Sequence, residues 1–143
     1  IVEGHGGSAD TEAAVRAALR WMAASQSADG RWSAKAHGAG RELLVMGRDR
    51  RGTGVEADTA MTGLALLAFL AANHTHQHGE YRENVRLGLQ FLLASQMADG
   101  NLTGNADVFA KMYCHAIATL ALSEAYGMTR DERLRAFRDS ARR

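Results

Sequence analysis

Residues 15–32 (VRAALRWMAASQSADGRW) return seventy positions later, without a gap, as residues 85–102 (VRLGLQFLLASQMADGNL). Nine of the eighteen aligned positions are identical, and Trp21/Phe91 and Met22/Leu92 keep their character. A chain that repeats itself in this way is built of stacked units, each of which buries its apolar face against a neighbour. In both copies the apolar residues Val15, Leu19 and Met22, or Val85, Leu89 and Leu92, stand at i, i+4 and i+7. That spacing draws one stripe along an amphipathic helix. Arg16, Arg20, Arg86 and Gln90 fall off the stripe and belong to the solvated side. Each helix then ends in Ser-Gln-x-Ala-Asp-Gly, a turn signal in which glycine supplies positive φ and aspartate bonds its own backbone.

A second kind of helix is predicted after each turn, one from Val55 to about Ala72 and one from about Asp107 to Tyr126, with Gly127 placed as its C′ residue. The run Gly63–Ala72 has no polar face and is expected to be surrounded by protein. Leu134, Phe137 and Ala141 at helical spacing mark Arg130–Arg143 as the start of another outer helix. The chain therefore reads as all-α, with about five helices in two and a half hairpins: repeat 1 over about 10–73, repeat 2 over about 80–127, and repeat 3 from about 130. The first residue is not Met and the last helix stops before its turn motif, which reads as a fragment of a larger protein. Unpaired repeat edges are then expected to bind a protein partner or a second copy.

Composition narrows the function classes. A net charge of +1 gives no reason to expect nucleic acid. The longest apolar run falls far short of the roughly 18–20 residues of a membrane span. Cys114 is the single cysteine, so the chain forms no internal disulfide. Compartment stays open.

The segments Trp21-Met22-x-x-Ser25-Gln26-x-x-Asp29-Gly30-x-Trp32 and Leu92-Leu93-x-Ser95-Gln96-x-x-Asp99-Gly100, the latter with Leu102 as its closing residue, resemble the Gln-Trp repeat of the α/α-toroid family. Squalene and hopene cyclases and protein prenyltransferase β subunits belong to that family, as do bacterial prenyltransferase and squalene-oxidase repeat proteins. The resemblance implies an arc of a double ring in which inner helices line a cavity. Cyclases of the family use Asp-x-Asp-Asp followed by Thr-Ala, with the middle aspartate as general acid. Here the matching residues are Val55-Glu56-Ala57-Asp58-Thr59-Ala60, so Ala57 stands at the acid position and supplies no proton. Glu56 is one helical step, about 100°, away from that direction. The prenyltransferases of the family bind zinc through Asp, Cys and His. Tyr113, Cys114 and His115 resemble part of that helix, yet adjacent helical side chains diverge by about 100° and no second cysteine exists. Cys114 reads more simply as a small core residue, and His115 as a polar residue with a satisfied partner.

Two further constellations carry candidate chemistry. His74, His76 and His78 alternate within Asn73–Glu80; in an extended segment they face one side and suit zinc or another transition metal. The plainer reading is a polar loop in which His74 and His76 bond the free carbonyls ending the inner helix. Ser33–Gly54 is an insertion with five basic residues, Arg48, Arg50 and Arg51 among them, against two acidic ones. Such a loop suits a diphosphate, and its Leu43–Met46 run suits a fold back onto the core.

The expected role is a non-catalytic repeat scaffold or binding module, with Asp58, Tyr113, His115, Arg48, Arg50 and Arg51 as candidate ligand contacts and an apolar or isoprenoid molecule as candidate ligand. An isoprenoid enzyme completed by further repeats, and a metal-binding module at His74–His78, are the competing readings. No cofactor is expected beyond zinc. Trp21 and Phe91 are expected as the inner anchors of their helices.

Overall fold

The computed structural model describes residues 7–38, 44–45, 48–49, 52 and 54–134. Among the described residues four α-helices carry the fold: α1 (Ala9–Ala24), α2 (Asp58–Ala71), α3 (Arg82–Ala94) and α4 (Lys111–Thr129). Residues 132–134 begin a further helical turn. The architecture is all-α, an arc of an α/α toroid, with α1 and α3 as outer helices and α2 and α4 as a closely packed inner pair. Within the Ser33–Gly54 insertion, Lys35–His37 form a single 3₁₀ turn. Strands β1 (Leu44–Val45) and β2 (Arg48–Asp49) make a minimal antiparallel ladder, pairing Leu44 with Asp49 and Val45 with Arg48.

The two repeats match bond for bond. Ser25 Oγ donates to Trp21 O, and Ser95 Oγ donates to Phe91 O. Asp29 and Asp99 each accept the N–H two residues on, at 3.2 and 3.0 Å. Gly30 and Gly100 both take positive φ, 91° and 86°. Gln26 Nε2 and Gln96 Nε2 each donate to the carbonyl of the motif glycine. The first glutamine also joins the repeats: it donates to Asn84 O at 3.0 Å, and Asn84 Nδ2 donates to Gln26 Oε1 at 2.8 Å and to Ala23 O.

One core runs through the arc. Leu66, Phe69, Val85, Leu92, Leu102, Ala118, Ala121 and Leu122 are buried in it. The stripe on α3 is fully sunk, because α3 meets both inner helices, whereas on α1 only Leu19 is buried and Val15 is exposed. Identical sequence is buried differently according to its place in the stack. The expectation for Trp21 fails for the same reason. It is 61% exposed and lies against His37, their ring centroids 5.4 Å apart, while Trp32 at 5% exposure is the anchor. Trp32 Nε1 donates to Met22 O at 2.7 Å, and its ring meets Phe69.

Three boundaries also differ from expectation. Helix α2 begins at Asp58 rather than Val55, after turns in which Val55 N bonds Gly52 O and Ala57 N bonds Gly54 O. Helix α4 runs from Lys111 to Thr129, past Gly127; Arg130, with φ 54°, provides the left-handed stop. Its N–H bonds Tyr126 O, and Thr129 Oγ1 caps Ala125 O. The run Gly63–Ala72 is not enclosed on all sides, since Leu64 is 48% exposed. Leu43, Met46, Arg50, Arg51, Phe137 and Ala141 lie outside the described residues, as does the side chain of Arg48.

Candidate functional site

The first turn of α2 places Asp58 and Thr59 at the wall of a cleft of about 240 Å³ between the two repeats. Arg31, just after the motif glycine, reaches across: its Nη1 donates to Asp58 Oδ2 at 3.1 Å, and its Nε lies 3.3 Å from Asp29 Oδ2. Glu56, Phe91, Ser95, Met97, Gly104 and Asn105 complete the walls. Three polar atoms here are buried without a hydrogen-bond partner: Asp58 Oδ1, Thr59 Oγ1 and Arg31 Nε. Thr59 is 2% exposed, so its hydroxyl has no bulk water to turn to. A small polar group entering the cleft would find two unpartnered oxygens, Asp58 Oδ1 and Thr59 Oγ1, while Arg31 Nε already faces Asp29.

Ala57 precedes this turn. Its methyl packs against an apolar cluster of Ala60, Ala106, Ala110 and Cys114. Glu56 also lines the cleft and pairs with Lys35 at 3.6 Å, near the surface. The structure thus brings Asp58 together with Arg31, a partner that the sequence reading passed over. The available signal was position: Arg31 directly follows the repeated Asp29-Gly30 turn.

Tyr113, Cys114 and His115 face three ways. Tyr113 is 70% exposed and Cys114 is fully buried. His115 Nδ1 accepts the N–H of Leu102 at 3.3 Å. The first repeat does the same job with a hydroxyl, Thr62 Oγ1 accepting the N–H of Trp32 at 3.1 Å. Since Trp32 and Leu102 are repeat equivalents, Thr62 and His115 are too, and α2 corresponds to α4 at an offset of 53. Cys114 and His115 do not converge: the thiol is buried among alanines, and His115 Nδ1 takes the Leu102 N–H.

The histidine loop is a compact turn rather than an extended segment. Asn73, with φ 63°, ends α2 in a Schellman arrangement: its N–H bonds Leu70 O, and the His74 N–H bonds Phe69 O. The backbone, not the imidazoles, therefore satisfies the carbonyls assigned above to His74 and His76. Thr75 is buried, and its hydroxyl accepts the N–H groups of Gln77 and His78. The three rings then part company. His74 meets Tyr81 edge-on, His78 Nδ1 lies 3.0 Å from Thr75 Oγ1, and His76 Nε2 lies 2.8 Å from Asp131 Oδ2. Among the described residues no group of three His, Cys, Asp or Glu is close enough to hold a metal ion.

Asp131 is the hub of that last contact. The Arg133 guanidinium, against the opposing effect of burial, holds the Asp131 carboxyl well below the usual carboxylate range; the Arg133 N–H and His76 act in the same direction. The bond from His76 ties the α2–α3 turn to the segment after α4. On the far side of the arc, Trp21, Trp32, Met61, Leu64 and Ala68 line an apolar groove of about 330 Å³ between α1 and α2. No described helix is long and apolar enough to cross a membrane.

No curated protein and no solved structure gives a significant match to the chain. The family model of the squalene-hopene cyclase C-terminal domain does, over residues 4–128. The repeated Gln-x-x-Asp-Gly turns, the inner and outer helices and the Asp58-Thr59-Ala60 start of α2 fall within that match, and the chain belongs to the squalene-hopene cyclase C-terminal domain family.

Proposed function

We propose that this chain is a non-catalytic segment of the cyclase fold, a helical-repeat scaffold that binds rather than converts. The observation carrying this reading is the chemistry at the start of α2. Protonating an alkene needs a carboxylic acid aimed at the double bond, and the residue at that position is Ala57, whose methyl packs among alanines. The neighbouring carboxylate, Asp58, accepts from Arg31, an arrangement for receiving a hydrogen bond rather than surrendering a proton. The cleft, with the unpartnered oxygens of Asp58 and Thr59, supports binding of a small polar group.

The test is product analysis. The purified chain is incubated with detergent-dispersed squalene and the extract examined by gas chromatography–mass spectrometry. The expected result is unchanged squalene; a cyclised product, lost on Asp58→Asn, sinks the scaffold reading. Calorimetric titration with farnesyl or geranylgeranyl diphosphate, with and without zinc, covers the prenyltransferase alternative. Saturable, zinc-dependent binding there would favour an enzyme completed by further repeats.

A further inference from the structure

The start of α2 differs chemically from the start of α4, although the two helices are repeat equivalents. At the offset of 53 that pairs Thr62 with His115, Asp58 and Thr59 correspond to Lys111 and Met112. The second repeat begins its inner helix without a carboxylate or a hydroxyl, so the hairpin forms without either. What sets Asp58 and Thr59 apart is the cleft that both line.

The two side chains are withdrawn from water: Thr59 is 2% exposed, and the Asp58 side chain 13%. Asp58 Oδ2 takes its charge partner from Arg31 Nη1, yet Oδ1 has no partner, and neither has Thr59 Oγ1. A buried oxygen in that position costs free energy until something supplies the bond. The facing wall leaves space for a guest. Gly104 lines the same cleft, and a Cβ there would lie 3.1 Å from Thr59 Cγ2 and 3.8 Å from Thr59 Oγ1.

The chemistry of the two oxygens selects that guest. A carboxylate oxygen only accepts, whereas a hydroxyl both donates and accepts. Arg31 already balances the Asp58 charge, and the positive end of the α2 dipole lies at this turn, so a cation gains little. An anion would face the Asp58 carboxylate. A neutral hydroxyl suits both oxygens, giving a proton to the first and taking one from the second. Neighbouring helical side chains diverge by about 100°, so the pair calls for two hydroxyls rather than one. Phe91 and Met97 supply apolar wall beside them.

We propose that the cleft binds a small neutral vicinal diol with an apolar tail, one hydroxyl donating to Asp58 Oδ1 and the other accepting from Thr59 Oγ1. At about 240 Å³ the cleft has room for the diol and one ring rather than a long chain. The assignment rests on the binding role proposed above and names its ligand class. The two fail separately: cyclised squalene sinks the scaffold reading, whereas unchanged squalene with no diol bound strikes this site alone.

The test is a titration of the purified chain with phenylethanediol, followed by amide NMR spectroscopy. Saturable shifts of the Thr59, Gly104 and Asn105 signals are expected, with a dissociation constant on the order of 1 mM for so small a ligand. Phenylethanol, with one hydroxyl, and phenylethylammonium, a cation, should each bind at least about threefold more weakly. Thr59→Val keeps the shape of the side chain and removes a hydroxyl that has no partner to lose. It should retain the native thermal midpoint and bind the diol about threefold or more weakly. The proposal is overturned if the cleft signals do not saturate, if phenylethanol or the ammonium binds as tightly as the diol, or if Thr59→Val binds it like the native chain.

Discussion

Trp21 and Trp32 sit in the same repeat and look equally suited to a core, yet only Trp32 is buried. Trp32→Ala removes a ring packed on Phe69 and a bond to Met22 O. It should cost about 3–5 kcal/mol in urea denaturation, the usual range for buried Trp to Ala. Trp21→Ala, at a half-open groove, should stay within about 0.5 kcal/mol. Near-equal costs would contradict the helix faces described here. The periodicity of α1 correctly put Leu19 inside. It could not separate Trp21 from Phe91, because their difference lies in the neighbours that the described residues give each helix: α3 meets both inner helices and α1 meets α2. The partnership of Arg31 with Asp58 was hidden for a related reason: it joins residues 27 apart through a turn whose path no local pattern encodes.

The elements themselves were readable where the pattern is local. The Gln-x-x-Asp-Gly turns form as their residues dictate, and glycine is required in the first of them twice over. Gly30 has positive φ, and a Cβ there would stand 2.3 Å from Leu87 O on α3. What joins the elements was less readable. The Gln26–Asn84 pair links the α1 turn to α3, and a double-mutant cycle of Gln26→Ala and Asn84→Ala should give a coupling of about 1 kcal/mol or more. Additive costs would show that the link carries no energy. The contacts of Asp131, to Arg133 first and to His76 beside it, should appear as pH dependence. Because the Asp131 carboxyl is held below its ordinary value in the fold, it stabilises the chain above the unfolded carboxylate pKa of about 4, and that contribution is lost as pH falls further. Asp131→Asn should therefore lower the denaturation midpoint at neutral pH and flatten its fall below about pH 4. A variant curve parallel to the native one would show that the Asp131 carboxylate contributes no stability. The histidine loop was misread because three alternating imidazoles suggest a strand, whereas Asn73 and Gly79, both at positive φ, curl the segment into a turn.

Across the whole molecule, stability should follow the stacking order. Helices α2 and α4 bury faces against each other, while α1, among the described residues, packs chiefly on α2. Amide hydrogen exchange is expected to be slowest in α2 and α4 and fastest in α1, in the manner of repeat arrays whose stability is a sum over neighbouring contacts. Uniform protection along the chain would argue for a single cooperative unit instead. The side chains at the seams carry one more consequence. Between the inner helices the buried residues of α4 are mostly small, Cys114, Ala118, Ala121 and Ala125, whereas α3 contributes Val85, Leu89 and Leu92 to the outer layer. Helix axes approach more closely across small residues than across large ones. The second hairpin is thus tapered like a stone cut for an arch, narrow toward the centre and broad toward the rim. The radius of the vault is written in the difference between alanine and leucine, and enlarging the inner seam would straighten the arch.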